Sequence, residues 1–225
     1  MILSYRHKFL FIKSAKTAGT SIEIALSSVC GPDDIITSIT KEDQEFRASL
    51  GCPGPQNHIL DDKIRDSRGR IPRGNKFYNH MSFDEIAARL PHSLDGFFVF
   101  SVERDPVDRF WSKFWFQGGF ERWGSPRQCI EQSPRGAVAK GWDLYHSKGR
   151  CMADRIFFYE ELSGMMEALS ERLGVSLALP EVQAKSQTRP RDRSREVLDD
   201  FTRDWIRVTY AREYARYHYT PPTWP

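Results

Sequence analysis

Nothing in these 225 residues approaches the roughly 20 consecutive apolar residues of a membrane-spanning helix. The first apolar run, Phe9-Leu10-Phe11-Ile12, is too short for a secretory signal and continues straight into small and hydroxylated residues. Cysteine is scarce. Cys30, Cys52, Cys129 and Cys151 form no C-x-x-C pair and no zinc-ligand spacing, so free thiols in a reduced compartment are expected rather than a metal or disulfide scaffold. Excess charge is lacking too: 33 Lys and Arg against 30 Asp and Glu leave +3, too little to imply a nucleic-acid partner. There is no internal repeat, and the one biased tail is Thr220-Pro221-Pro222-Thr223-Trp224-Pro225.

What is present suits a globular chain. With 40% hydrophobic and 28% charged residues, this length predicts one domain over 1–225 with a sizeable core. Apolar runs at 8–13, 97–102 and 155–159 read as buried strands, and Lys76–Asn79 as a shorter one. Helices are expected at about 20–29, 41–50 and 83–90, after Pro106, and from Glu160 to Leu173. A last helix is expected behind Ser194, with Val197, Leu198, Phe201, Trp205 and Val208 on its packed face. Strands alternating with helices predict an α/β class, a three-layer α/β/α domain around a mainly parallel sheet.

The stretch Ser14-Ala15-Lys16-Thr17-Ala18-Gly19-Thr20-Ser21 follows the first strand. It reads as a sharp turn into a helix that Thr20 or Ser21 can cap. Backbone N–H groups at such a helix start suit a phosphate or sulfate, Ala18 and Gly19 allow close approach, and Lys16 adds a positive charge. An ordinary strand–turn–helix with a surface lysine has the same local pattern. The order also differs from the nucleotide-triphosphate loop G-x-x-x-x-G-K-[ST]: the lysine precedes the glycine by three residues and the first glycine is missing.

A second stretch, Glu103-Arg104-Asp105-Pro106-Val107-Asp108-Arg109-Phe110-Trp111-Ser112, follows the strand at 97–102. Together the two stretches resemble the sulfotransferases that use 3′-phosphoadenosine 5′-phosphosulfate, in particular the carbohydrate branch. That family carries a first loop close to P-K-T-[AG]-[GS]-[TS] and a later R-[ND]-P-x-[DE]-R-x-x-S. The second motif is unbroken here, and the first has Ala15 where proline is common. The resemblance is firm over about 8–28 and 97–116, and looser over 76–90 and 153–219.

The resemblance implies a P-loop-type sandwich and transfer of a sulfuryl group from that nucleotide donor to a hydroxyl, a sugar being the expected acceptor. Lys16 would face the leaving oxygen, and Thr17, Ala18, Gly19, Thr20 and Ser21 would cradle the 5′-phosphosulfate. Arg104 and Ser112 would hold the 3′-phosphate, and His80, just after the 76–79 segment, would be the base. By position Arg189, with Lys185 and Ser186, is the candidate that closes the nucleotide site. Asp108 and Arg109 are expected in structural ion pairs. Residues 31–76 and 117–148 would shape the acceptor side, with Trp123 and Trp142 read as packing over the sheet edge. No metal, nucleic acid or membrane span is expected, and the location expected is cytoplasmic. A P-loop-class kinase, or a non-catalytic protein binding nucleic acid or acidic glycans through 185–195, are the alternatives.

Overall fold

A computed structural model describes residues 1–180 and 189–223. Its strands are β1 (Ile2–Ser4), β2 (Phe9–Phe11), β3 (Ile35–Ile36), β4 (Phe98–Glu103), β5 (His146–Ser147), β6 (Arg150–Cys151) and β7 (Arg155–Phe158). The helices are α1 (Gly19–Ser27), α2 (Lys41–Ser49), α3 (Phe83–Ala87), α4 (Pro106–Phe116), α5 (Gly119–Trp123) and α6 (Pro126–Gln132). They continue with α7 (Pro134–Ala137), α8 (Trp142–Tyr145), α9 (Leu162–Leu173), α10 (Asp200–Thr209) and α11 (Ala211–Tyr217). Among the described residues no helix is long and apolar enough to cross a membrane.

Alternation explains the sheet. In β2, Phe9 and Phe11 point to one face and Leu10 to the other, and all three are buried. The main sheet runs β3-β1-β2-β4-β7. Strands β2, β4 and β7 pair in parallel, with Phe11 opposite Phe100 and Val102 opposite Phe157. Strand β1 is antiparallel to both neighbours, so four of the five strands share one direction. Hence the sheet is mainly parallel, with one reversed strand near an edge.

Both faces are covered by apolar side chains. Phe9, Phe11, Phe100, Val102 and Phe157 pack with Ile22, Ala25 and Leu26 of α1 and with Met165, Met166 and Leu169 of α9. On the other face, Leu10, Ile12 and Val99 pack with Phe77, Met81, Ile86, Leu144 and Tyr145. A third cluster, including Phe110, Phe114, Trp123 and Ile206, joins α4, α5, α6 and α10 beyond the sheet. Trp123 is buried in that cluster rather than over the sheet edge, and Trp142 stacks on His146 at 3.8 Å.

Three expectations need correction. Residues 76–79 are not a strand: Lys76 forms an isolated bridge with Ile59, and the Phe77 N–H donates to the His58 carbonyl at 2.7 Å. The Phe77 side chain is drawn into the core while its backbone pairs with a loop. The last segment does not start helically at Ser194. Helix α10 starts at Asp200, where the Asp199 carboxylate accepts from the Thr202 N–H at 2.8 Å and caps the first turn, while the Ser194 N–H is held in a local turn by the Asp192 carboxylate at 2.9 Å. Val197 and Val208 are therefore 73% and 78% exposed, and Thr202 and Ile206 form the buried side of α10. Thirdly, neither Thr20 nor Ser21 caps α1. The cap position is Ala18, in the left-handed region at φ 58°, and both hydroxyl residues already lie inside the first turn.

Candidate anion-binding site

The loop after β2 is pinned before it turns. Ser101 Oγ donates to the Ile12 carbonyl at 2.7 Å, and Ser14 Oγ donates to the Val102 carbonyl, which extends the β2–β4 contact past the strand end. Arg109 fastens the next residue: its Nε donates to the Ala15 carbonyl at 3.0 Å and its Nη2 to the Lys140 carbonyl at 2.7 Å. The Arg109 guanidinium is fully buried and pairs with Glu103, as expected of a structural ion pair. Gly141 must stay small because an added Cβ would lie 2.3 Å from Arg109 Nη2.

Lys16 and Ala18 both take left-handed backbone conformations, at φ 66° and 58°. Each costs of order 1 kcal/mol in a residue with a side chain. Successive N–H groups in such a turn form a concave donor surface. No side chain caps the helix start behind it, so the positive end of α1 faces the same cleft. The Lys16 ammonium lies 4.0 Å over the Phe116 ring. Gly19 allows a close approach from below, since a Cβ there would meet Lys13 Cγ at 2.7 Å.

Lys13 is buried under this loop. Its Nζ contacts Glu23 at 2.5 Å and Thr20 Oγ1 at 3.2 Å, and Glu23 also takes the amino group of Met1. Burial alone would push the Glu23 carboxyl up, but those two cations outweigh it and hold it at about 2.

The second turn begins where β4 ends. Asp105 caps α4 by accepting from the Asp108 N–H at 2.9 Å, with Pro106 in the first turn. Arg104 is 7% exposed and stacks over Tyr159 at 3.7 Å. Its Nη1 donates to the Lys16 carbonyl at 2.9 Å, while Nε and Nη2 engage Asp108 Oδ2 at 2.6 and 2.5 Å. Three of the five guanidinium N–H groups are thus used among the described residues, which leaves one on each Nη for an anion. Asp108 Oδ1 takes Arg189 at 2.5 Å, and Arg189 in turn pairs with Glu196 at 2.5 Å. Asp108 is therefore the structural ion-pair residue that the sequence suggested. Lys185 and Ser186 lie outside the described residues.

His80, which also lines this cleft, has a left-handed backbone too, at φ 57°. Its Nδ1 lies 2.9 Å from the Lys13 carbonyl oxygen. A carbonyl can only accept, so Nδ1 carries the proton and Nε2 the lone pair. Burial, followed by the nearby Lys13 charge, lowers the imidazole to about 4 and keeps it neutral through the physiological range. Two other histidines lie elsewhere: His58 contacts Ser38 Oγ at 3.1 Å, and His92 sits edge-on to Tyr5.

All residues nominated from the sequence that fall in the described part line one cleft of about 620 Å³: Lys16 to Ser21, His80, Arg104, Ser112 and Arg189. Sequence reasoning missed Lys13, Lys113, Arg135 and Lys140 on its wall. With Lys16, Arg104, Arg189, Arg191 and Arg193 they make nine cationic side chains among the described residues, where no carboxylate lines the cleft. A doubly anionic ligand fits this donor set in kind: uncapped helix N–H groups and Lys16 on one side, Arg104 and Ser112 on the other. Comparison with protein-family models, curated proteins and solved structures finds no match for this chain.

Proposed function

We propose that this protein is a sulfotransferase that moves a sulfuryl group from 3′-phosphoadenosine 5′-phosphosulfate to a hydroxyl acceptor, of which a sugar is the expected kind. The carrying observation is that two turns, each following a parallel strand of one sheet, meet in a single cationic cleft with a neutral histidine at its wall. A donor with phosphate on both the 3′ and the 5′ oxygen of its ribose needs two cradles, whereas a nucleoside triphosphate, anionic at the 5′ side alone, needs one. The proposal extends to the fold: a three-layer P-loop-type sandwich accounts for apolar helices against both sheet faces and an anion-binding turn after β2.

The bound donor supplies an activated sulfuryl group and a phosphate leaving group. The chain supplies the rest. Lys16 and the N–H groups of 17–21 stabilise charge that builds on the leaving oxygen, in a preorganised site that need not rearrange. Arg104 and Ser112 hold the far phosphate and so fix the line of attack. His80 Nε2 accepts the acceptor hydroxyl's proton while Nδ1–H stays on the Lys13 carbonyl, which fixes the ring. Such a base contributes about 10² to 10⁴ in rate.

The test starts with binding. Adenosine 3′,5′-bisphosphate should raise the melting temperature of the full chain in a concentration-dependent way, and ATP with magnesium should do so less. Labelled donor should then pass sulfate to a hydroxyl acceptor, and Lys16→Ala should abolish transfer. A shift from ATP and magnesium with none from the bisphosphate would instead identify a kinase. Steeply salt-dependent DNA or heparin binding that survives Lys16→Ala would identify a non-catalytic binder.

A further inference from the structure

His80 and Lys140 are fastened to the same short segment, just before the Lys16 turn. The His80 Nδ1–H donates to the Lys13 carbonyl at 2.9 Å. Two residues on, the Ala15 N–H donates to the Lys140 carbonyl at 2.7 Å, and Arg109 Nη2 donates to the same oxygen at 2.7 Å. The neighbouring Ala139 N–H donates to the buried Tyr210 hydroxyl at 3.0 Å. These bonds engage the backbone of 139 and 140, and the Lys140 side chain is exposed. It lines the cleft and also a second cavity of about 470 Å³. Among the described residues His80, Val138 and Lys140 line both spaces, so Lys140 is the one lysine or arginine that shares both with the histidine. Glu85, Asp143 and Glu213 line the second cavity but not the cleft.

In-line transfer sets the leaving and attacking oxygens on opposite sides of the sulfur. The Lys16 turn faces the first, and His80 Nε2 faces the second. The other sulfuryl oxygens point sideways and carry the negative charge of the group, which a neutral imidazole does not balance. The cation that holds them stands beside His80. Lys13 is close by, but it is buried and turned toward Glu23 and Thr20. Lys140 is exposed on the wall that it shares with the histidine. Resting on the sulfuryl-transfer reading, we propose that Lys140 is a further catalytic residue. Its ammonium donates to a sulfuryl oxygen and turns the sulfur toward the hydroxyl that His80 deprotonates. As the hydroxyl oxygen bonds to sulfur, the bond from sulfur to the 5′-phosphate oxygen breaks, and its electron pair leaves on the phosphate. The hydroxyl proton goes to His80 Nε2, and Lys140 keeps its own protons throughout. The product nucleotide has no sulfuryl group, so Lys140 adds little to its binding.

The experiment needs no identified acceptor. Adenosine 3′,5′-bisphosphate is titrated calorimetrically into the full chain, with and without orthovanadate, which takes up the five-coordinate shape of in-line transfer with anionic oxygens around its waist. Vanadate should tighten bisphosphate binding to the wild type by about tenfold or more. Lys140→Met should keep the affinity for bisphosphate alone within about threefold and lose most of the vanadate gain. Lys140→Arg, which keeps the charge, should retain much of it. The hydrogen bonds at 139 and 140 are made by the backbone, so both variants should fold and melt close to the wild type. With Lys140→Ala, added ethylammonium should restore the vanadate gain in a saturable way, which a purely structural lysine would not allow. A Lys140→Met protein with the full vanadate gain overturns the proposal. So does a wild type that binds the bisphosphate and gains nothing from vanadate. A variant that loses bisphosphate affinity as steeply as the vanadate gain makes Lys140 a general anion ligand and also overturns it. A chain that ignores the bisphosphate altogether sinks the sulfuryl-transfer reading, and the role of Lys140 falls with it.

Discussion

Arg104 donates to the carbonyl oxygen of Lys16 at 2.9 Å, so the two turns that line the cleft are joined by a hydrogen bond as well as by neighbouring strands. One guanidinium holds the Lys16 turn, pairs with Asp108 and keeps a fork of N–H groups for a ligand. Arg104→Lys keeps the charge and loses the fork and its geometry. Affinity for adenosine 3′,5′-bisphosphate should fall by at least about tenfold. The unliganded melting temperature should fall by about 2–4 °C per kcal/mol lost. Calorimetric titration and a thermal scan read the two effects separately; unchanged affinity with a lowered melting temperature would make Arg104 purely structural.

Lys13 and Glu23 carry the next prediction. Both are buried, and each is the other's principal counter-charge. Glu23→Gln should cost about 3–5 kcal/mol because it removes the carboxylate that the buried Lys13 and Met1 amino groups share. Adding Lys13→Met to Glu23→Gln should recover only part of that in denaturant titrations, because the buried Met1 amino group still lacks its carboxylate. The acid side follows from the Glu23 carboxyl, lowered from 4.5 to about 2. Its contribution is complete above about pH 4.5 and is lost as pH falls toward 2. The wild-type advantage over Glu23→Gln should shrink across that window, and a constant difference would mean that Glu23 is not ionised in the fold.

These two residues also show where the sequence was legible and where it was not. The run at 97–102 announces β4 because a stretch with five apolar residues in six needs no neighbour to be recognised, and 155–159 marks β7, whose four residues at the sheet edge bury only Phe157. Strands β1 and β3 have three and two residues, and their pairing with each other and with β2 is what makes them strands. The site's residues were legible through two motifs, but its geometry was not. Lys16, Ala18 and His80 hold left-handed conformations that no glycine advertises, because the surrounding contacts impose them. Lys13 ends an apolar run and Glu23 interrupts Ile22 and Ile24; together these were the available signal for a buried ion pair.

His80 should titrate far below an ordinary histidine. Burial and the Lys13 charge place its midpoint near 4, against 6.5 for a solvated ring. NMR of the imidazole in the unliganded protein should find it neutral, with the proton on Nδ1, from about pH 5 upward. The fold gains stability as pH rises from 4 to 6.5, because the unfolded ring binds the proton that the folded one refuses. His80→Gln should leave bisphosphate affinity nearly unchanged and lower kcat by about two to four orders of magnitude. A midpoint near 6.5 would mean that the ring is solvated and that the Lys13 carbonyl contact is not maintained.

Glu213 should show the opposite pH dependence. Burial first, then the Glu103 carboxylate, raises its carboxyl from 4.5 to about 7, while Arg109 and Arg212 pull weakly the other way. Between those values the folded chain holds a proton that the unfolded chain has released. Stability therefore falls as pH rises from about 4.5 to 7 and levels off above, at a cost of order a few kcal/mol. His80 titrates in an overlapping window with the reverse sign, so the wild-type curve alone cannot isolate either group. Glu213→Gln can. It removes the titration while keeping the shape, so the variant should match the wild type near pH 4.5 and exceed its stability increasingly up to pH 7. Urea titrations of both proteins at half-unit pH intervals read that difference directly. A gap that stays flat from pH 4.5 to 8 would show that Glu213 ionises normally, as it would if a partner in the fold already satisfied Oε2.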